Sequence, residues 1–131
     1  MARSFFTFLM FEGAAEEAMH LYVSVFRGAS IKQIERFGPN EPGNEGSVRR
    51  AHLMLGELPL MLFDSSVKHA FTFTPSMSIF VECEDEAELQ AAFERLSEGG
   101  EILMPLGEYW FSTKFGWLKD RFGVSWQLNV E

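Results

Sequence analysis

Apolar and polar residues follow one another along the first half of the chain in an order that predicts one amphipathic helix among short strands. Residues 4–11 are nearly all apolar, which is typical of a strand covered on both faces. Apolar residues then recur at helical spacing over residues 18–26, and Gly28 ends that helix. A loop at 38–46 is rich in Gly, Pro and Asn. The order β-α-β-β-β results, with the later strands at residues 31–37, 48–55 and 58–64.

The second half repeats this order at an offset of about 70 residues. A strand at 77–83 precedes a helix for which Asp85 is the predicted N-cap, and Gly99 and Gly100 end that helix. The remaining elements are predicted as strands at 101–106, 115–119 and 124–130, a loop at 107–113 and a turn at 120–123.

This repeat predicts an α+β fold in which two tandem β-α-β-β-β modules pair into a cup-shaped mixed sheet, because neither half closes a core alone. One domain is expected over residues 1–131. It divides into module one at about 4–64, a linker at about 65–75 and module two at about 76–131. The functional site is then expected inside the cup.

Composition excludes several classes of partner. The chain has 19 acidic and 11 basic residues and a formal net charge of -8, so its field repels phosphate groups, and neither nucleic acid nor a membrane is expected as a partner. A single cysteine excludes an internal disulfide and favours a cytoplasmic location. The apolar stretch at the N-terminus is interrupted by Glu12, far short of a membrane span.

Three segments carry a resemblance to a known family: residues 8–19 (FLMFEGAAEEAM), 96–101 (LSEGGE) and, above all, 116–127 (GWLKDRFGVSWQ). With them, the chain resembles the PhnB-like branch of the glyoxalase, or vicinal-oxygen-chelate (VOC), superfamily, which is also labelled 3-demethylubiquinone methyltransferase-like. The resemblance implies the glyoxalase/bleomycin-resistance/dioxygenase fold and a homodimer. It also implies a cup that holds either a divalent metal ion or a small molecule.

The residues do not support the methyltransferase label as chemistry. A Rossmann-type methyltransferase needs a glycine-rich turn between its first strand and helix, whereas here that connection reads FEGAAE. Fold alone determines no reaction, so no catalytic residue is assigned.

Metal-using members of the superfamily place His, Gln or Glu ligands on the first and fourth strands of each module. The resemblance puts Phe6, Leu60, Ser78 and Gln127 at those places. Phe6 and Leu60 have no donor atom, and the other two are neutral, so no metal ion and no other cofactor is expected.

Alternation along the strands predicts which side chains face the cup. The predicted set is Phe6, Phe8 and Met10, Leu60 and Leu62, Ser78, Phe80 and Glu82, and Ser125, Gln127 and Asn129. Met77, Ile79, Val81 and Cys83 are expected to pack under the helix, with Cys83 as an inert core thiol.

Several polar residues admit two interpretations. His52 is either a base or hydrogen-bonding group in the cup, or a strand histidine satisfied by a neighbouring acid. Glu82 is either a site carboxylate or a solvated residue before the helix. His20 is interpreted as a surface residue beside Glu16, and His69 as a linker residue.

Aromatic residues at 109–111 and Trp117 cover either the cup or a subunit interface, because three consecutive exposed aromatic side chains are costly. Lys114, Lys119 and Arg121 would favour an anionic or carbonyl-bearing ligand if they pointed inward.

The resulting prediction is a protein that binds a small organic molecule in an aromatic-lined cup. The predicted pocket residues are Phe6, Phe8, His52, Ser78, Trp110, Trp117 and Gln127. One alternative is a divalent-metal-dependent lyase, isomerase or dioxygenase that uses His52, Glu82 and Gln127. A second is a regulatory module that acts only through its dimer surface.

Overall fold

The computed structural model describes residues 1–131 and divides them into two compact units, Met1–His69 and Ala70–Glu131. These units are called module one and module two below. None of the helices has the length and apolar character needed to span a membrane.

Module one has the predicted β-α-β-β-β order. Its elements are β1 (Thr7–Phe11), α1 (Ala15–Val25), β2 (Ala29–Arg36), β3 (Val48–Leu55) and β4 (Leu58–Asp64). The sheet order is β1-β4-β3-β2, in which only β1 and β4 run parallel. The fourth strand therefore lies beside the first. Helix α1 connects β1 to β2, which are the two edge strands of the sheet.

Module two repeats both the element order and the sheet order. Its elements are β5 (Ser78–Glu82), α2 (Glu86–Ser97), β6 (Glu101–Tyr109), β7 (Ser112–Lys119) and β8 (Ser125–Val130). The sheet order is β5-β8-β7-β6, with β5 and β8 parallel. The predicted α+β fold of two β-α-β-β-β modules is confirmed.

One face of each sheet is covered by the helix of its own module, and the strand residues that alternate onto that face are buried. In module one these are Leu9, Phe11, Ala51, Leu53, Leu60 and Leu62, and in module two Ile79, Leu118, Trp126 and Leu128. The opposite face of each sheet, where the intervening residues lie, is called the open face.

A buried carboxylate at the end of β4 ties together three parts of module one. Asp64 is only 4% exposed. Its Oδ1 accepts hydrogen bonds from the backbone N–H groups of Gly13 at 2.9 Å and Ala15 at 3.0 Å, and its Oδ2 from that of Val48 at 2.9 Å. Because α1 has no side-chain N-cap of its own, Asp64 satisfies an N–H group of its first turn from a distant strand.

Module two uses a buried carboxylate in a different place. Asp120 is 3% exposed and closes the turn between β7 and β8, where its Oδ1 accepts from the N–H groups of Phe122 and Val124. Its Oδ2 accepts from the indole Nε1 of the fully buried Trp126 at 3.0 Å. This bond gives the indole the polar partner that a buried tryptophan requires.

The predicted N-cap of the second helix is confirmed, since the Asp85 side chain accepts from the N–H of Glu88 at 2.8 Å. The predicted loop at 107–113 was wrong. β6 continues to Tyr109 and β7 begins at Ser112, with Trp110 and Phe111 as the two-residue turn between them. Register shifts along the β6–β7 pair break the two-residue alternation there, so the pattern does not read as strand.

The prediction for Met77 was also wrong. It is 71% exposed and precedes β5, so it does not pack under the helix as predicted.

Candidate functional site

The open face of module two carries a compact array of polar and aromatic side chains. Three strands contribute to it, and their registers pair Ser78 with Ser125, Phe80 with Gln127 and Glu82 with Asn129. On the far side of β8, β7 adds Trp117 opposite Gln127 and Phe115 opposite Asn129. Gln127 therefore has an aromatic residue on the neighbouring strand to each side.

A chain of hydrogen bonds fixes the polar side chains of this face. The Trp117 Nε1 donates to the Ser125 Oγ at 2.9 Å, and the hydroxyls of Ser125 and Ser78 lie 2.6 Å apart. The Gln127 Nε2 donates to the Ser78 Oγ at 3.1 Å. This chain links the predicted pocket residues Ser78, Trp117 and Gln127 through Ser125, which the predicted pocket did not include.

A second polar cluster lies one row further along the same strands. The Asn129 Nδ2 donates to the Glu82 Oε2 at 3.0 Å, and the Ser112 hydroxyl donates to the Asn129 Oδ1. Glu82 is therefore the last residue of β5 and belongs to the open face, rather than to the first turn of α2. Its carboxylate is exposed and makes this face attractive to hydrogen-bond donors.

These bonds leave acceptor atoms available to a ligand. Gln127 uses its amide nitrogen as a donor to Ser78, and its Oε1 makes no hydrogen bond within the protein. Phe80, which flanks Gln127 on one side, is 53% exposed, and Trp117 on the other side is half-buried. The arrangement can accept a hydrogen bond from an N–H or O–H group while aromatic side chains contact an apolar ligand body.

The open face of module one is predominantly aromatic and apolar. The rings of Phe6 and His52 lie 5.1 Å apart, and those of Phe8 and Phe63 stack at 4.8 Å. The His52 Nε2 is buried and has no hydrogen-bond partner. No neighbouring acid satisfies this nitrogen, so the interpretation of His52 as a strand histidine paired to an acid was wrong.

The prediction for Leu60 and Leu62 was also wrong. Both are fully buried on the helix-covered face, because β1 pairs Phe8 with Met61 and thereby places Met61 on the open face instead. A one-residue error in register exchanges the two faces of a strand. Of the four ligand positions that the resemblance implied, the one on β4 therefore corresponds to Met61 on the open face rather than to Leu60.

The donor set at those positions does not fit a tightly bound divalent ion. Phe6 has no donor atom, and the Met61 thioether is a soft ligand poorly suited to hard or borderline ions. Ser78 and Gln127 are neutral and hydrogen-bonded to each other. The structure brings together no group of three or more His, Cys, Asp and Glu side chains that could hold a metal ion.

Trp110 lies apart from this array, at the tip of the β6–β7 hairpin, where it is 95% exposed. It contacts the ring of Phe111 edge-on at 5.3 Å. Phe111 contacts Phe115 at 4.9 Å, and Phe115 lies 6.4 Å from Phe80. A series of aromatic contacts therefore connects the hairpin tip to the open face of module two.

The surroundings of three other titratable residues, Cys83, His20 and Lys119, do not indicate a role in ligand binding. Cys83 is buried, which raises the pKa of its thiol to about 11. His20 is exposed and lies 3.5 Å from the carboxylate of Glu16, as predicted. Lys119 is on the open face of module two but forms an ion pair with Glu101 at 3.3 Å, so it does not give that face a free positive charge.

Comparison with protein families identifies the chain. The model of the family described as 3-demethylubiquinone-9 3-methyltransferase matches residues 3–129, nearly the whole chain. The chain belongs to this family. The expected resemblance to PhnB-like proteins is confirmed by a similar solved structure.

The PhnB protein from Bacillus cereus is 52% identical, with 98% of this chain and 100% of that chain covered and a TM-score of 0.94. The protein PA1353 from Pseudomonas aeruginosa is 30% identical, with 99% and 98% covered and a TM-score of 0.85. FosX, a fosfomycin resistance protein from Mesorhizobium loti, is 12% identical over 100% of this chain and 94% of that chain, with a TM-score of 0.61, and shares the fold alone. No functionally curated protein is significantly similar in sequence.

Proposed function

We propose that this PhnB-like protein binds a small organic molecule on the open face of module two, without a catalytic metal ion. The observation that carries the proposal is the Gln127 amide, whose nitrogen is hydrogen-bonded to Ser78 at 3.1 Å while its oxygen has no partner in the protein. A fixed acceptor flanked by aromatic residues matches the composition of small-molecule sites, which combine a mostly apolar lining with a few placed polar groups.

The chemistry of the face defines the ligand class. The Gln127 Oε1 and the exposed Glu82 carboxylate accept hydrogen bonds, so the ligand carries N–H or O–H donors. Phe80 and Trp117 favour a planar apolar body. Glu82 and the net charge of -8 disfavour an anion. The ligand is therefore expected to be an aromatic compound without negative charge that carries an amide, amine or hydroxyl group.

The open face of module one, taken by itself, carries the other predicted pocket residues. Phe6, Phe8 and His52 share this face, where the two phenylalanine rings offer aromatic contacts, and the buried Nε2 of His52 has no hydrogen-bond partner. Trp110 is included in the proposed binding surface because ring contacts connect it to Phe80. These contacts run from Trp110 to Phe111, from Phe111 to Phe115 and from Phe115 to Phe80. We further propose that the protein is located in the cytoplasm and forms a homodimer. Light scattering after size-exclusion chromatography tests the dimer directly, because it measures the molar mass in solution.

The proposal departs from the methyl transfer that the family description names. Rossmann-type methyltransferases bind their cofactor at a glycine-rich turn after the first strand of a parallel sheet. In this chain the corresponding turn contains a single glycine, Gly13, and only one pair of strands in each sheet is parallel. The fold offers no counterpart to that cofactor site.

Binding can be tested with a panel of phenols and aromatic amides, measured by ligand-observed NMR and by thermal shift. We expect at least one probe to bind the wild-type protein and to lose affinity about tenfold in Gln127→Ala, since a hydrogen bond and its geometry are lost. Gln90→Ala is the matched control, because Gln90 is an exposed residue of α2 that bonds only to Glu94. Equal affinity in Gln127→Ala and the control would contradict the proposal.

Metal content separates this proposal from metal-dependent lyase, isomerase or dioxygenase chemistry. The unpartnered Nε2 of His52 is the observation that favours that alternative. Protein purified without chelator or metal-affinity resin is analysed by inductively coupled plasma mass spectrometry, together with His52→Ala and Gln127→Ala. A stoichiometric divalent ion that either variant loses would establish the metal-dependent alternative.

A further inference from the structure

The tip of the β6–β7 hairpin departs from what a tight turn requires. Tyr109 pairs with Ser112, so the turn consists of Trp110 and Phe111 alone. Two-residue hairpin turns favour Asn and Gly, because the best-matched turns need positive φ angles. Here both turn residues are aromatic and neither has a positive φ. Turn formation therefore does not explain these two side chains.

The solvent exposure of the same two aromatic side chains is energetically unfavourable. Trp110 is 95% exposed and Phe111 is 46% exposed. Contiguous exposed aromatic surface on a soluble protein generally marks a binding site. The two residues border an open groove of about 660 Å³ on module two, which lies at the hairpin tip rather than in the polar array around Gln127.

Aromatic contacts hold the groove in a defined shape. The rings of Tyr109 and Phe111 stack at 5.7 Å, and the Tyr109 hydroxyl donates to the carbonyl of Pro105 at 2.7 Å. The Trp110 ring stands at 82° to that of Phe111, with the centroids 5.3 Å apart. Two rings at a right angle form a corner whose faces carry negative electrostatic potential.

The charged residues of the groove have one sign. Glu108 and Glu131 line it, and no lysine or arginine does. Neither carboxylate takes part in an ion pair or a side-chain hydrogen bond within the protein. Ring faces and unpaired carboxylates attract the same kind of ligand, a cation that gives up its water easily.

We propose that this groove binds a small, weakly hydrated organic cation of the quaternary ammonium type, with the charge over the Trp110 ring. The aromatic corner replaces the weak hydration of such a cation, whereas a metal ion would keep its water. Glu108 and Glu131 supply the compensating charge. The site shares Trp110 and Ser112 with the surface proposed above, but its ligand is a cation held by Glu108 and Glu131 rather than a molecule held by Gln127, so it goes beyond that proposal.

Choline tests the proposal against 3,3-dimethylbutan-1-ol, a neutral molecule of the same shape. Binding is followed by NMR through the indole N–H signal of Trp110, which Trp110→Phe identifies by its loss. We expect choline to shift this signal saturably and the neutral analogue to bind about tenfold more weakly, as expected for a cation–π contact. Added salt should weaken the binding of choline but not that of the neutral molecule.

Glu108→Gln should reduce the choline affinity several-fold, whereas Glu57→Gln, in the turn between β3 and β4, should leave it unchanged. Folding of these variants is not in question, because Trp110 and Glu108 are both exposed. Co-sedimentation with phosphatidylcholine vesicles tests whether a membrane headgroup is the source of the cation. We expect that the protein does not co-sediment with these vesicles. Equal binding of the neutral analogue, no saturable shift, or vesicle binding without free choline binding would each overturn the proposal.

Discussion

The ring of Phe93 in α2 packs directly against the backbone of Gly116 in β7. A Cβ atom on Gly116 would overlap the Cε2 atom of that ring and would also lie 2.8 Å from the Cδ2 atom of Leu106. The absence of a side chain at Gly116 therefore leaves the space that the Phe93 ring occupies.

Gly116→Ala is expected to destabilise the protein by about 1–3 kcal/mol, because the added methyl group must displace Phe93 from a packed core. Chemical denaturation measures the change. Gly28→Ala is the matched control, since its added methyl group would meet nothing closer than the Gly56 backbone at 3.9 Å. Phe93→Leu should offset part of the loss in the double variant. Additive losses in that double variant would show that the steric explanation is wrong.

Asp64→Ala is expected to lower the free energy of unfolding by about 3 kcal/mol or more, because it leaves three backbone N–H groups without their acceptor. Urea denaturation gives this value. Asp85→Ala provides the comparison, as it removes one exposed N-cap bond and should cost only about 1 kcal/mol. A smaller loss for Asp64→Ala than for Asp85→Ala would mean that the buried carboxylate does not organise module one.

Cys83 is expected to resist thiol reagents in the folded protein. Burial raises the pKa of its thiol from 9.0 to about 11, and the carboxylates of Glu88, Glu82 and Asp85 contribute to the increase. At pH 8, Ellman's reagent should react with the native protein slowly and with the guanidinium-unfolded protein at once. Rapid labelling of the native protein would contradict this.

The same pKa shift has a consequence for stability. The folded state holds the thiol proton more tightly than the unfolded chain does, so this contribution is fully present below about pH 9 and is lost as the pH rises toward 11. Cys83→Ala should therefore lose less stability than the wild type between pH 9 and 11, which thermal unfolding at several pH values measures. Identical pH profiles for the two proteins would exclude this linkage.

Glu16 and Arg36 form an exposed ion pair that joins α1 to β2. The hydrogen bond from Arg36, with a smaller contribution from His20, lowers the pKa of Glu16 below its usual 4.5. The resulting stabilisation is present above about pH 4.5 and is lost as the pH falls through the lowered pKa. Glu16→Gln should cost at most about 1 kcal/mol at pH 7, because both side chains are exposed.

Salt and pH provide the checks on this pair. The difference between Glu16→Gln and the wild type should shrink in 0.5 M NaCl and in acid, whereas Glu57→Gln should show neither dependence. A cost that persists unchanged in high salt would mean that Glu16 acts through packing rather than charge.

Much of the fold was predictable from the sequence, because the helix-covered residues alternate clearly. Trp126 and Leu128 have polar neighbours on both sides, and their burial followed from that alternation. Leu60 and Leu62 lie in a strand whose two faces are both apolar, so the pattern could not distinguish the buried face from the open one. The pairing of Phe8 with Met61 decides it, and that pairing is a property of the folded sheet.

The candidate site was predictable only in part, for a related reason. Alternation placed Ser125 and Gln127 on one face, but hydrogen bonds between strands far apart in sequence depend on register. The contact of Ser78 with Ser125 joins residues 47 positions apart, and no local signal indicates it. The sequence predicts a loop at the hairpin of Trp110, because the irregular register of β6 and β7 hides the strand pattern.

Two copies of one strand order within a single chain are what the duplication of an ancestral half-length gene leaves behind. After such an event, one copy can keep the fold while the other changes its surface. The two modules differ in the side chains of their open faces, since Phe8 pairs with Met61 in the first and Phe80 pairs with Gln127 in the second. One strand order thus carries two different sets of open-face side chains within a single chain.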